Sequence, residues 1–328
     1  MAYKTSIYQG NQHMYDTFVR NSKNGTIFHE MNFLSYHQDR FDTIYLMTKK
    51  GNSPMAVCAG VIQEDEDGKG FIAHKGSTYG GPVIKNGGGY SYGNKIFDSI
   101  IEYLTDNEFD YWQFRLAPSH LCETQAEEVE FEALQRGGKL LPPELTTFVQ
   151  LRDDIDSMDQ LLDQFSSRAR RAYRKADDTG IEVKWDDPDL ASYHEILSET
   201  LDERYEAEPT HTLEELELLK RKYPNRIFLT TAYHNNKMIA GSLIMLLNTV
   251  SAHAFYFATR QDSYQLGGLN KVIPDAILTL HQDHQIYNFN FGISSGKYGK
   301  TPNSGLFKFK EGFHNRNILR KTFKLHFS

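Results

Sequence analysis

Two stretches of this 328-residue chain, about 180 residues apart, carry one succession of elements: strand, strand, strand, helix, strand. Residues 41–63, FDTIYLMTKKGNSPMAVCAGVIQ, are two alternating apolar runs joined at Lys50-Gly51-Asn52. Residues 226–246, RIFLTTAYHNNKMIAGSLIML, repeat that design around His234-Asn235-Asn236. Turn residues between period-two runs predict hairpins. Both second strands contain Ala-Gly, at Ala59-Gly60 and Ala240-Gly241. A third strand follows at 70–84 and at 250–260, then a glycine-bearing loop and a helix. Ile96, Ile100, Ile101 and Leu104 fall at helical spacing in one helix, and Val272, Ile273, Ile277 and Leu280 in the other. Each helix leads into an aromatic-rich strand, at 110–117 and 286–294. A hairpin sheet that gains its last strand through a helical crossover is a mixed sheet, so the order predicts an α/β chain of two duplicated units, cut as 1–150 and 151–328.

The bulk numbers narrow the function classes. Hydrophobic residues make up 39% of the chain, and 19 Tyr and 21 Phe supply enough large side chains for two cores. A net charge of -7 argues against a general nucleic-acid coat, although a local basic stripe could still meet phosphates. The first residues, MAYKTSIYQGNQHMYDTF, show no apolar run and no cleavage pattern, which predicts no secretory leader, and no apolar run is long enough for a membrane span. Two cysteines, Cys58 and Cys122, do not make a disulfide scaffold, and a cytoplasmic location is the expectation. His281 and His284 share a helix face without a third ligand, so no metal is expected. His120 and Cys122 lie close together, but no acid or oxyanion motif accompanies them.

Two stretches remain for chemistry. In FSSRARRAYRKADDTGIEV, residues 165–183, a helix places Arg168, Arg171 and Lys175 along one side and Arg170 and Arg174 in a second row. This is either a solvated face or an anion clamp for phosphate or a nucleic-acid end. Residues 291–313, FGISSGKYGKTPNSGLFKFKEGF, run from a buried strand into a glycine-rich basic loop. The loop is not that of nucleotide hydrolases, because Gly292 and Gly296 are too close and Tyr298 stands where Ser or Thr should take magnesium. It reads as a substrate-facing lid with Ser295, Lys297, Tyr298 and Asn303 as contacts. Beyond it, Lys308 and Lys310 alternate with Phe307 and Phe309, as in a strand with one wet face.

The repeated unit, with its glycine loop before the helix, resembles the GNAT acyltransferase fold, and the tandem arrangement resembles the Fem family of aminoacyl transferases and related enzymes of cell-envelope glycan synthesis. GTIFHEMNFLSYH (25–37), FSSRARRAYRKADDTGIEV, PTHTLEEL (209–216) and the 291–313 stretch carry the likeness across nearly the whole chain. It implies two tandem GNAT-like domains in which the fourth and fifth strands splay, leaving backbone amides for an acyl donor, and in which the next helix meets the donor's pyrophosphate. At that helix the GNAT pattern Gln/Arg-x-x-Gly-x-Gly/Ala is met in part by Gln265, Gly268 and Asn270, with Gly267 beside them; the first half offers only KNGGGYSYG. The second half is therefore expected to hold the donor. The likeness places a Phe-Lys pair, here Phe309 and Lys310, by the reacting groups, with Tyr298 grouped as catalytic, and puts Arg204, Tyr205 and His211 in the acceptor-facing segment beside the anion clamp. The implied activity is transfer of an acetyl or aminoacyl group to an amine of a sugar or peptidoglycan-type precursor. The donor is acetyl-CoA, another acyl-CoA or aminoacyl-tRNA, with no tightly held cofactor. A glycan- or partner-binding scaffold without catalysis is the alternative, and nothing in the sequence fixes the oligomeric state.

Overall fold

Asn235 and Asn236 adopt φ values of 50° and 62°, the left-handed pair that a two-residue hairpin turn requires, and Gly51 meets the same need at 59° in the first hairpin. The computed structural model describes residues 2–73, 75–205, 207–296, 300–314 and 316–327, apart from the side chains at 204 and 205. These form two compact units, Met1–Leu145 with Ser295–Thr301 and Ile318–Ser328, and Thr146–Ser294 with Pro302–Asn317.

The first sheet comprises β1 (Tyr3–Ile7), β2 (Thr43–Lys50), β3 (Ser53–Asp65), β4 (Gly68–Ala73), β5 (Val83–Ile84), β6 (Tyr111–Arg115), β7 (Lys139–Leu140) and β17 (Thr322–His326). Their order is β1-β2-β3-β4-β6-β17-β7, with β5 on β3. The second sheet comprises β8 (Glu144–Gln150), β9 (Glu182–Lys184), β10 (Ile227–His234), β11 (Lys237–Leu246), β12 (Ser251–Thr259), β13 (Asn288–Ile293) and β16 (Arg316–Arg320), in the order β9-β10-β11-β12-β13-β8-β16. A ribbon of β14 (Ser295–Gly296) and β15 (Thr301–Pro302) completes the strands. The two sheets share one topology. In each the hairpin strands pair antiparallel and one parallel pair follows the helical crossover, β4 with β6 and β12 with β13. The mixed α/β class and the repeated order are those read from the sequence.

The units are not consecutive halves, however. The strand beside β6 is β17, more than 200 positions later, and the strand beside β13 is β8, which lies before the 151–328 segment. A hydrophobic pattern specifies a face but not a distant partner, so a cut at residue 150 could not foresee this arrangement.

In the second unit the crossover helix (Gly268–His284) buries Val272, Ile273, Ala276, Ile277 and Leu280. The last four of these pack in one core with Ile244, Ala252, Ala254, Phe289 and Phe291 of the sheet. Full burial of a large aliphatic side chain contributes about 1.5–3 kcal/mol, so this face holds the helix start in place for whatever it contacts. On the β11 side of the sheet, helix Leu190–Tyr205 lays Tyr193 against Gly241, where a Cβ would stand 2.7 Å from Tyr193 Cδ2. Close approach explains the glycine of this Ala-Gly pair.

Candidate functional site

The parallel ladder between β12 and β13 consists of three pairs: Ser251 with Asn288, Ala252 with Phe289, and His253 with Asn290. β12 continues to Thr259 and β13 to Ile293 without further pairing between them. Beyond His253 the sheet forks. Register shifts fall on both sides of the fork, between Leu243 and Ile244 in the β11–β12 ladder and between Asn290 and Ile293 in the β13–β8 ladder. Such irregularities bend a strand away from its neighbour.

A buried polar lock sits at the last pair. Asn290, fully buried, accepts at Oδ1 from Thr146 Oγ1 at 2.6 Å and from Gly292 N at 3.4 Å. Its Nδ2 faces His253 Nδ1 at 3.1 Å. The Gly292 N–H can only donate, which fixes Oδ1 as the acceptor and Nδ2 as the donor. His253 Nδ1 therefore accepts, and a neutral imidazole carries its proton on Nε2.

Beside the fork lies a cleft of about 720 Å³. One wall is the start of the crossover helix: Gln265, Gly267, Gly268, Leu269 and Asn270. Gly267 caps it at φ 78° and its carbonyl accepts from Asn270 N at 2.9 Å, while the N–H groups of Gly268 and Leu269 precede any intrahelical acceptor. A second wall comes from the helix Ser167–Asp178, which buries Ala169, Tyr173 and Ala176 and presents Arg168, Ala172 and Lys175 to the cleft. Arg171 differs from the sequence expectation: it is exposed and is not part of the cleft wall, because the inward packing of Ala169 and Tyr173 turns it outward. Thr200, Leu201, Phe257 and Thr259 form a third side, and Thr259 N donates to Thr200 Oγ1 at 3.2 Å.

The fourth side overturns the strand pattern read in LFKFKEGF. Residues Ser304–Phe313 are a helix, N-capped by Asn303, whose Oδ1 accepts from Leu306 N at 2.9 Å. Its Leu306, Phe309 and Phe313 follow helical spacing and line the cleft, with Asn303 at the mouth of that wall. Arg168 Nη2 donates to Lys308 O on this helix. Lys310 is adjacent but turned inward, at 2% exposure, and donates from Nζ to Gly292 O at 3.2 Å and Ile293 O at 2.6 Å. Burial pulls its pKa down from the ordinary lysine value to about 7. Lys310 thus ties the helix to the end of β13, and it is Phe309 of the expected pair that touches the cleft.

The structure brings together Gln265, Gly267, Gly268, Asn270, Arg168, Lys175, Asn303 and Phe309. His211 lies elsewhere, buried, with Nδ1 2.8 Å from Tyr256 Oη. Burial pushes Tyr256 up to about 12. Ser295 opens β14, and its buried hydroxyl has no hydrogen-bond partner among the described residues. Lys297 and Tyr298 lie outside the described residues, as do the side chains of Arg204 and Tyr205. Sequence reasoning missed Thr146, His253, Asn290, Phe257 and Thr200. Polar residues alternating in a strand, as in NFNFG, do not reveal their buried partners, which for Asn290 are Thr146 and His253 on the neighbouring strands.

Among the described residues the first unit shows no counterpart to this opening. β4 pairs with β6 from Gly70 to Ala73, the whole second half of β4. At the helix Tyr90–Asp106, Lys23 Nζ donates to Gly88 O at 3.1 Å and pairs with Glu128.

A forked mixed sheet with a crossover-helix start at the fork, repeated in topology, is the decisive feature. The chain has a Fem-like tandem GNAT fold. No protein-family model matches the sequence, and no curated protein matches it significantly. Among solved structures, FemX aligns with TM-score 0.73 at 12% identity, covering 100% of this chain and 98% of the other. The structure of L-PGS from Bacillus licheniformis gives TM-score 0.59 at 11% identity over 96% and 91%. A tandem GNAT protein from the clavulanic acid pathway gives 0.54 at 9% over 99% and 98%. At these identities the likeness shows the tandem GNAT fold alone. Among the described residues no group of His, Cys, Asp or Glu could hold a metal, and no helix is long and apolar enough to cross a membrane.

Proposed function

We propose that the chain is an acyltransferase that takes an acyl group from a phosphopantetheine thioester held in the second unit and passes it to an amine. The observation that carries this reading is the fork between β12 and β13 opening beside a 720 Å³ cleft at a helix start. The residues present suit such a donor. The N-terminal amides of the crossover helix and the cations of Lys175 and Arg168 suit its phosphates, and β12 beyond His253 offers an unpaired strand edge to the pantetheine and the carbonyl. In the reaction the amine nitrogen attacks the carbonyl carbon, an oxyanion forms, and the C–S bond breaks to release a thiolate while the amine loses its proton. Donors fixed at the position of the developing oxyanion are the main contribution a protein makes to this step.

The acceptor class carried by the Fem resemblance is an amine of a sugar or peptidoglycan-type precursor. Arg171 and Arg174, exposed outside the cleft on the same helix, favour a second reading in which the donor is a longer polyanion, aminoacyl-tRNA. Calorimetric titration of the full chain with CoA and with deacylated tRNA separates the two. The first reading requires CoA to bind, with Lys175→Glu weakening it by about tenfold, the loss of roughly one charge-assisted phosphate contact. Binding of tRNA but not CoA selects the second reading, and binding of neither sinks both.

A further inference from the structure

The charge and the surface of the cleft bear on the group that is transferred. Among the described residues that line it, the ionisable side chains that carry charge are Arg168 and Lys175; no carboxylate is present. Arg168 is exposed, and its Nη2 lies 3.5 Å from the position of a Cβ at Gly312 and donates to Lys308 O. The wall that the Ser304–Phe313 helix and the sheet give the cleft is apolar. Phe309 and Phe313 meet edge to face at 5.2 Å, Phe313 stacks on Phe291 at 5.4 Å, and Phe291 meets Phe257 at 6.0 Å. Leu201, Leu269 and Leu306 extend this surface along the cleft.

An acyl group bearing an α-ammonium would here leave water for a wall of phenyl rings that offers no carboxylate among the described lining residues. A charge moved into such surroundings without a partner costs several times what any phenyl face returns. An aliphatic or aryl chain meets the opposite balance, because each methylene removed from water onto the Phe and Leu side chains is stabilising. We infer that the transferred acyl group is uncharged and apolar and is larger than acetyl, seated against Phe257, Leu306, Phe309 and Phe313. This rests on the reading of the cleft as the donor site and chooses among donors within it.

The test uses stable thioether analogues and the full chain: CoA, S-butyl-CoA and S-(3-aminopropyl)-CoA, of nearly equal shape in the last two and differing by methyl against ammonium. Calorimetry should show S-butyl-CoA binding at least about tenfold tighter than CoA, and S-(3-aminopropyl)-CoA no tighter than CoA. Leu306→Asp places a carboxylate on the half-exposed part of the wall and should reverse the preference between the two analogues, each read relative to CoA on the same variant. An aminopropyl analogue that matches or exceeds the butyl one overturns the inference and leaves the donor site standing, as does a butyl analogue no tighter than CoA. If none of the three binds, the donor-site reading itself fails.

Discussion

Replacing Lys310 by methionine isolates the energetic cost of one buried amine. In the folded chain burial holds its pKa at about 7, whereas in the unfolded chain it titrates near its ordinary value of 10.5. Between these two values the unfolded state binds the proton and the folded state does not. For a group depressed by folding, stability is therefore fully present above 10.5, is lost as pH falls through that window, and changes no further below about 7. The whole loss amounts to about 5 kcal/mol, with a slope of about 1.4 kcal/mol per pH unit. Methionine of similar length keeps the packing and has no proton to exchange. The two hydrogen bonds it forfeits, to Gly292 O and Ile293 O, lower its stability by an offset that does not depend on pH. Urea unfolding of both proteins at about pH 7, 8.5 and 10 reads the difference directly, and every other titrating group cancels. The native chain should gain on the variant by about 1.4 kcal/mol per pH unit across that range. Parallel stability curves would refute the reasoning and place a counter-charge near Nζ.

Two further outcomes test the fork and the helix start. Asn290→Leu leaves Thr146 and His253 without their buried partner and should destabilise the second unit by about 1–3 kcal/mol in denaturant unfolding; in the native chain, nitrogen NMR of His253 should report the Nε2–H tautomer. Gly268→Ala puts a Cβ 2.7 Å from Ala240 Cβ, so the helix start must move, with a cost of about 1–3 kcal/mol in unfolding and a weaker CoA isotherm; an unchanged isotherm would separate this helix from the donor.

What the sequence disclosed was the local part of the design. Lys50-Gly51-Asn52 and His234-Asn235-Asn236 gave the hairpins because left-handed turn residues are rare elsewhere, and Val272, Ile273, Ile277 and Leu280 gave the crossover helix because its apolar face repeats at helical spacing. The Gln265–Asn270 segment stands out through its partial match to the GNAT pattern, and its residues line the cleft. Elsewhere short-range pattern misled. Over four residues the Phe307-Lys308-Phe309-Lys310 alternation looks like a strand, but the contacts that decide are at helical spacing, with Leu306, Phe309 and Phe313 on the cleft side and Lys310 turned inward. The lock formed by Thr146, His253 and Asn290 joins residues up to 144 positions apart, and no local period encodes such a set. The same holds for Arg171, whose helix was read correctly while its rotation was not, since rotation is set by what Ala169 and Tyr173 pack against.

The pairing of β6 with β17 bears on how the molecule is made. Arg115 Nε reaches Thr322 Oγ1 across 207 positions of chain, so a growing polypeptide exposes one flank of its earliest sheet throughout most of synthesis. The second sheet likewise takes its edge strand β16 from Arg316–Arg320, so both sheets are completed by neighbouring strands near residue 320. A ribosome stalled before those strands emerge would hold a nascent chain with open, adhesive sheet edges.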